Sequence, residues 1–125
     1  MNVFIADGGR VTAIDLDGFG LQERASDAAY MLAQMAIMGY FRRGSFAATA
    51  HARYCFLRAY LEAMPTLSHQ RLALYLGIYF LQSLHYELCI LGKESRELVE
   101  PWLDSAERCL LGGEVTLIKD AGVCV

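Results

Sequence analysis

The chain has 125 residues, of which 55 % are apolar and 20 % charged, with a net charge of −3. That length and balance exclude a disordered tail and suit one domain, large enough to bury about two-thirds of its unfolded surface. An acidic surface excludes a general attraction to nucleic acid or anionic lipid, and the one basic cluster (Arg42, Arg43, Arg53, Arg58) is too narrow for a nucleic-acid footprint.

The first residues, MNVFIADGGRVTAID, hold an acidic Asp7 and no basic stretch ahead of an apolar one, so no secretory signal is expected. Residues 3–17 place two β-prone runs around Asp7-Gly8-Gly9, which predicts a hairpin because glycine supplies the positive φ of a tight turn. Asp15-Leu16-Asp17-Gly18 resembles a fragment of a calcium loop but lacks its remaining ligands, and we discard it.

A first helix is expected to begin after Ser26 as N-cap and to end before Gly44, with Arg42 and Arg43 in its last turn. Its core face is expected at Met31, Leu32, Met35, Met38 and Tyr40. Ser45 is placed to cap a second helix, whose stripe Phe46, Ala50, Tyr54, Leu57, Leu61 and Met64 has helical spacing. Ala48, Ala52, Cys55, Ala59 and Ala63 form a small-residue face beside it, which predicts close approach of another helix and a place in the middle of a bundle.

Pro65 stops the second helix and Ser68 is placed to cap a third. Leu72–Leu91 is interrupted only by Gly77, Gln82, Ser83, His85 and Glu87. A helix so apolar around its circumference is expected to be covered on several sides, so the bundle should organise around it. Its length suits a membrane span, but His85 and Glu87 within it favour a core helix of a protein that does not enter a membrane. Glu87 then needs an arginine such as Arg53 or Arg58, or one side of the helix reaches water at that level.

Gly92 closes the third helix. Ser95 starts a fourth, in which Leu98, Trp102, Ala106, Cys109 and Leu110 keep phase across Pro101; the proline either kinks the helix or marks its first turn. Gly112-Gly113 ends it. The β-prone tail VTLIKDAGVCV is expected to pair with the N-terminal hairpin. Short connections favour antiparallel neighbours, so the predicted fold is mainly α: a four-helix up-down bundle over residues 26–111, with a small β element from one or both termini.

No catalytic grouping is nominated, and no cofactor. His51/Cys55 and His85/Cys89 repeat a His-x-x-x-Cys spacing, with each pair on one helix face. In an antiparallel hairpin the pairs stand about eight residues out of level, ~12 Å, too far to share a zinc ion. The four cysteines, with no CxxC spacing, therefore read as reduced and mostly buried thiols in a cytoplasmic protein, with Cys124 the exception near the chain end.

Met31, Met35 and Met38 form a stripe that is either ordinary core or an adaptable partner surface. With Tyr75 and Tyr79 they are the expected partner-binding residues of a non-enzymatic adaptor, chaperone or inhibitor, acting on a protein partner or a second copy. The alternative is a small-molecule sensor whose cavity is lined by Tyr75, Tyr79, Tyr86 and Trp102, with Arg42 or Arg43 holding an anionic end. RLALYLGIYFLQSLHYELCILGKESRELVEPWLDSAERCL resembles in rhythm the small acidic helical-bundle chaperones of flagellar and type III secretion, which implies a non-enzymatic partner-binding role. The first seventeen residues depart from the flagellin chaperones' layout.

Overall fold

The computed structural model describes residues 3–14, 21, 23–93, 96–113 and 115. The two β-prone runs pair as expected: β1 (Val3–Ile5) lies antiparallel to β2 (Val11–Ala13), with Phe4 opposite Thr12. Gly8 and Gly9 take φ of 82° and 78°, and the Gly9 amide donates to the Ala6 carbonyl at 3.1 Å to close the turn. Phe4, Ile5, Val11 and Ile14 remain exposed. The calcium-like fragment, the end of the second β-prone run and the tail's expected pairing with the hairpin lie outside the described residues, although Val115 is described and packs on the core.

Helix α1 (Arg24–Arg43) starts earlier than the capping signal implied. Ser26 is not its N-cap: the residue lies inside the first turn, buried, with its Oγ 2.6 Å from the Tyr79 hydroxyl. A partner across the helix interface satisfies that hydroxyl, and Glu23 takes the cap position with extended backbone and no side-chain capping bond. The core face also differs. Ala25, Ala28, Ala29, Leu32, Ala33 and Ala36 are buried, whereas Met31, Met35, Met38 and Tyr40 are half-buried. Alanines let a neighbouring helix approach closely, and the longer side chains are displaced to the flanks. Gly44, at φ 72°, ends α1 by donating its amide to the Tyr40 carbonyl.

Ser45 caps as predicted, its Oγ accepting from the Ala47 amide, but the first turn it caps is a 3₁₀ helix, Phe46–Thr49. Helix α2 (Ala50–Ala63) follows. The predicted stripe turns inward, with Ala50 and Leu57 buried and Phe46, Tyr54, Leu61 and Met64 half-buried. The alanine face does not: Ala48, Ala52, Ala59 and Ala63 are exposed. Helix α2 is therefore peripheral, laid mainly along α1. Arg24 meets Met64 at one end, and Thr49 donates to the Met35 carbonyl at the other, so the two helices run antiparallel.

Helix α3 (His69–His85), capped by Ser68, lies between α1 and α4 (Arg96–Gly112). Contacts from Glu23 to Arg71 and Tyr75, and from Ser26 to Tyr79, show that α1 and α3 run parallel. Gly77 sits against Leu110 and Ala106, and Gln70, Arg71 and Leu74 adjoin Cys109–Gly113, so α3 and α4 are antiparallel. The direction alternates along the chain, as an up-down bundle requires. One turn of π-helix, Tyr86–Ile90, ends the third helical segment; Gly92 at φ 64° then lets the Lys93 amide reach the Glu87 carbonyl.

Pro101 lies inside α4, where the helical phase continues past it and buries Trp102, Ser105, Ala106 and Cys109. The Trp102 ring is packed by Tyr40 at 4.7 Å, Phe46 at 4.8 Å and Phe41 at 5.7 Å between centroids, and Phe46 meets Phe80 at 5.4 Å. This aromatic cluster joins α1, the 3₁₀ turn, α3 and α4 at one end of the bundle. Arg53, wholly buried, anchors the 3₁₀ turn through a 2.7 Å bond from Nη2 to the Phe46 carbonyl.

Candidate interaction surface

Helix α3 is central yet covered on two sides rather than all round. Its buried positions, Leu72, Ala73, Leu76, Gly77, Phe80 and Leu84, fall within about 140° of the helical circumference. Opposite them run Leu74, Ile78, Leu81 and His85, spaced by four, three and four, so a second apolar stripe looks outward. Leu74 is 45 % exposed and Leu81 39 %.

The antiparallel register, in which Gly77 lies between Ala106 and Leu110 and Leu74 shares a cleft with Leu111, places Leu111 of α4 level with Leu74 and Leu103 level with Leu81. Leu103 is 46 % exposed and Leu111 81 %. Together the two helices present a face of four leucines, with Glu100 and Glu107 falling between Leu103 and Leu111 around α4. The exposed polar groups around it include Arg71, Gln82 and His85 on α3 and Glu100, Asp104, Glu107 and Arg108 on α4, where Arg108 Nη1 lies 4.0 Å from Asp104 Oδ2.

The partner-binding residues expected from the sequence lie elsewhere. Met31, Met35 and Met38 are half-buried on the side of α1 that carries α2. Tyr75 and Tyr79 face α1: the Tyr75 hydroxyl donates to Glu23 Oε2 at 3.0 Å, and Tyr79 adds an edge-on contact with Tyr30 at 5.2 Å to its bond with Ser26. The bond to Glu23, and then burial and the same carboxylate's charge, raises the Tyr75 pKa above its ordinary value. Arg71 Nη1 reaches the same Glu23 oxygen at 2.8 Å, so this carboxylate ties α1 to α3. The Tyr60 hydroxyl donates to the Arg24 carbonyl at 3.1 Å, and burial, with help from Asp27, pushes its pKa up.

The expected aromatic cavity does not form from the residues named for it. Tyr75 and Tyr79 are engaged with α1, Trp102 is enclosed by other rings and Tyr86 is exposed. The clefts among the described residues include two lined by residues of α1, α3 and α4. One of about 480 Å³ lies between the start of α3 and the end of α4, and one of about 210 Å³ lies by the first turns of α1 and α3. None of those four aromatic residues lines either cleft, nor do Arg42 and Arg43, which are exposed at the end of α1.

Among the described residues no group of three or more His, Cys, Asp or Glu side chains could hold a metal ion. His51 Nε2 lies 3.6 Å from Cys55 Sγ on the outer side of α2, and His85 and Cys89 are exposed on the third helical segment. The thiols are thus less buried than expected: Cys109 is enclosed, Cys55 half-buried and Cys89 exposed, because the helix faces that carry the last two point away from the core. Cys124 lies outside the described residues.

Glu87 is buried, but its partner is Lys93, 2.5 Å away, rather than an arginine of α2. The π-turn and Gly92 fold the chain back so that a cation six residues on reaches the carboxylate. The Lys93 ammonium also lies 4.8 Å from the centre of the Phe41 ring, a cation–π contact that ties this clip to α1.

No helix of the described residues is long and apolar enough to cross a membrane. Comparison with known protein families, with characterised proteins and with solved structures finds no match to this chain.

Proposed function

We propose that this chain is a non-enzymatic interaction module, working in the cytoplasm, whose α3–α4 leucine face engages another protein chain. The observation that carries the reading is that face itself: four leucines, each more than a third exposed, aligned across two helices whose opposite sides form the core. Burying an exposed leucine side chain contributes up to ~2 kcal/mol, so leaving four in water is a standing cost that a partner removes. The free thiol of Cys89 beside this face suits a reducing compartment.

A photo-activatable residue at position 81 tests the reading, with position 59 on the exposed side of α2 as the control. The expected result is a discrete protein adduct, this chain's own copy included, from position 81 and none from position 59. Equal labelling at both positions, or none at either, would sink it.

A further inference from the structure

We propose that His51 and Cys55 of α2 are one half of a zinc site, completed by the same two residues of a second copy of the chain. The inference is independent of the leucine face, which belongs to α3 and α4.

The ligand geometry is already set within one chain. Zinc takes an imidazole nitrogen at about 2.0–2.1 Å and a thiolate sulfur at about 2.3 Å, and at a tetrahedral angle those bonds hold the two ligand atoms about 3.6 Å apart. His51 Nε2 and Cys55 Sγ stand 3.6 Å apart. The two residues lie one turn apart on α2, so the helix backbone fixes the pair, and a metal is gripped at two points without rearrangement. The identical spacing at His85 and Cys89 falls across the π-turn Tyr86–Ile90, and among the described residues that pair shows no such approach. Imidazole with thiolate suits zinc, whereas calcium and magnesium take oxygen.

Two ligands leave a tetrahedral ion half-coordinated. Among the described residues no third His, Cys, Asp or Glu completes a metal-holding group with this pair. A two-fold axis through the metal supplies the remaining two ligands at once: each copy gives one imidazole and one thiolate, a Cys₂His₂ set. As each Zn–S bond forms, the thiol proton passes to solvent, so one zinc displaces about two protons and the two thiolates neutralise its charge.

Cysteine is a short ligand, so two helices that share the ion must run close. The surface of α2 allows it. Ala52, three residues before Cys55, and Ala59, four after it, are exposed on the same side, and small side chains let helix axes approach to about 8 Å. The charged residues of that side, Arg58 and Glu62, pair with each other at 3.8 Å. The alanine face that stays outside the chain's own core thereby becomes the seat of the second copy.

The test is native mass spectrometry and sedimentation of the full chain, reduced with a phosphine, in zinc chloride at half an equivalent and in excess EDTA. The expected species is two chains with one zinc, and EDTA removes both the metal and the zinc-dependent gain in mass. His51→Ala and Cys55→Ser should each lower zinc affinity at least ~100-fold, because symmetry removes two of the four ligands at once, while Cys89→Ser leaves it unchanged. Both ligands are on the outer side of α2, so melting curves of these variants in EDTA should stay close to that of the parent. Ala59→Arg keeps both ligands but blocks the approach of the helices, and should abolish the zinc-linked dimer. Cobalt(II) in place of zinc should give the visible bands of a tetrahedral thiolate site, lost in Cys55→Ser. With EDTA present the α2 face is unjoined, and the photo-activatable control at position 59 gives no adduct. One zinc held by a monomeric chain, zinc binding that survives both His51→Ala and Cys55→Ser, or no uptake of zinc overturns the proposal.

Discussion

Gly77 is where the α3–α4 contact is closest, and replacing it with alanine sets two known effects against each other. Relieving a helix of an interior glycine stabilises by about 1 kcal/mol. The added Cβ, however, would lie 2.6 Å from Leu110 Cγ, 2.9 Å from its Cδ2 and 3.2 Å from the Ala106 carbonyl oxygen. Leu110 is half-exposed and can swing outward, but the Ala106 oxygen belongs to the helix backbone, so α4 must retreat by a few tenths of an ångström. Overpacking of this kind costs about 1–3 kcal/mol. The clash should win, with Gly77→Ala destabilising by ~1 kcal/mol and lowering Tm by about 3–5 °C. In a Leu110→Ala background the worst contacts are gone, and the same change should be neutral or stabilising by up to ~1 kcal/mol, a coupling of about 1–2 kcal/mol. Urea unfolding of the four proteins at one protomer concentration, followed by far-ultraviolet circular dichroism, measures the cycle. A higher midpoint for Gly77→Ala alone, or an equal penalty in both backgrounds, would refute this account of the α3–α4 packing.

Three further outcomes are expected. Lys93→Met leaves the buried Glu87 carboxylate without its cation; because Lys93 is itself 48 % exposed, the loss should be modest, about 1–2 kcal/mol by thermal unfolding, and Glu87→Gln added to it should recover most of that. Arg53→Met strips the Phe46 carbonyl of its buried donor and should cost ~1–3 kcal/mol, with a changed near-ultraviolet spectrum as Phe46 loses its place against Trp102. The Tyr75 pKa is raised above 10.0 by its bond to Glu23, so the folded state holds that proton more tightly than the unfolded chain. Its contribution is complete below pH 10 and is lost as pH rises through the folded value; Tyr75→Phe should therefore flatten the alkaline limb of a stability–pH profile, and an unchanged limb would count against the bond.

The elements were legible where local chemistry alone decides them. Asp7-Gly8-Gly9 needed nothing beyond the turn's positive φ, and Ser45, Ser68, Gly44 and Gly92 punctuate the helices where capping rules place them. Ser26 shows the limit. Its hydroxyl satisfies the same rules as the other serines, yet it bonds Tyr79, fifty-three residues away, and no local pattern records that partner. The same holds for Lys93, whose value to Glu87 depends on a π-turn that shifts the helical register by one residue.

The faces were harder to read than the elements, because an apolar stripe states a need for burial without stating against what. In α1 the methionines looked like core by size, but the alanine face wins the inward position, since the helix axes come closest where side chains are smallest. In α2 the alanines are just as small and stay exposed, because the neighbouring stripe from Phe46 to Met64 has more apolar area to bury. Helix α3 is apolar on both of its faces, and α1 and α4 can cover only one of them. A chain of four helices could have closed over Leu74 and Leu81 by laying α2 there. It lays α2 on α1 instead, held by Thr49 and Tyr60, and that choice leaves the outward stripe of α3 and the leucines of α4 exposed.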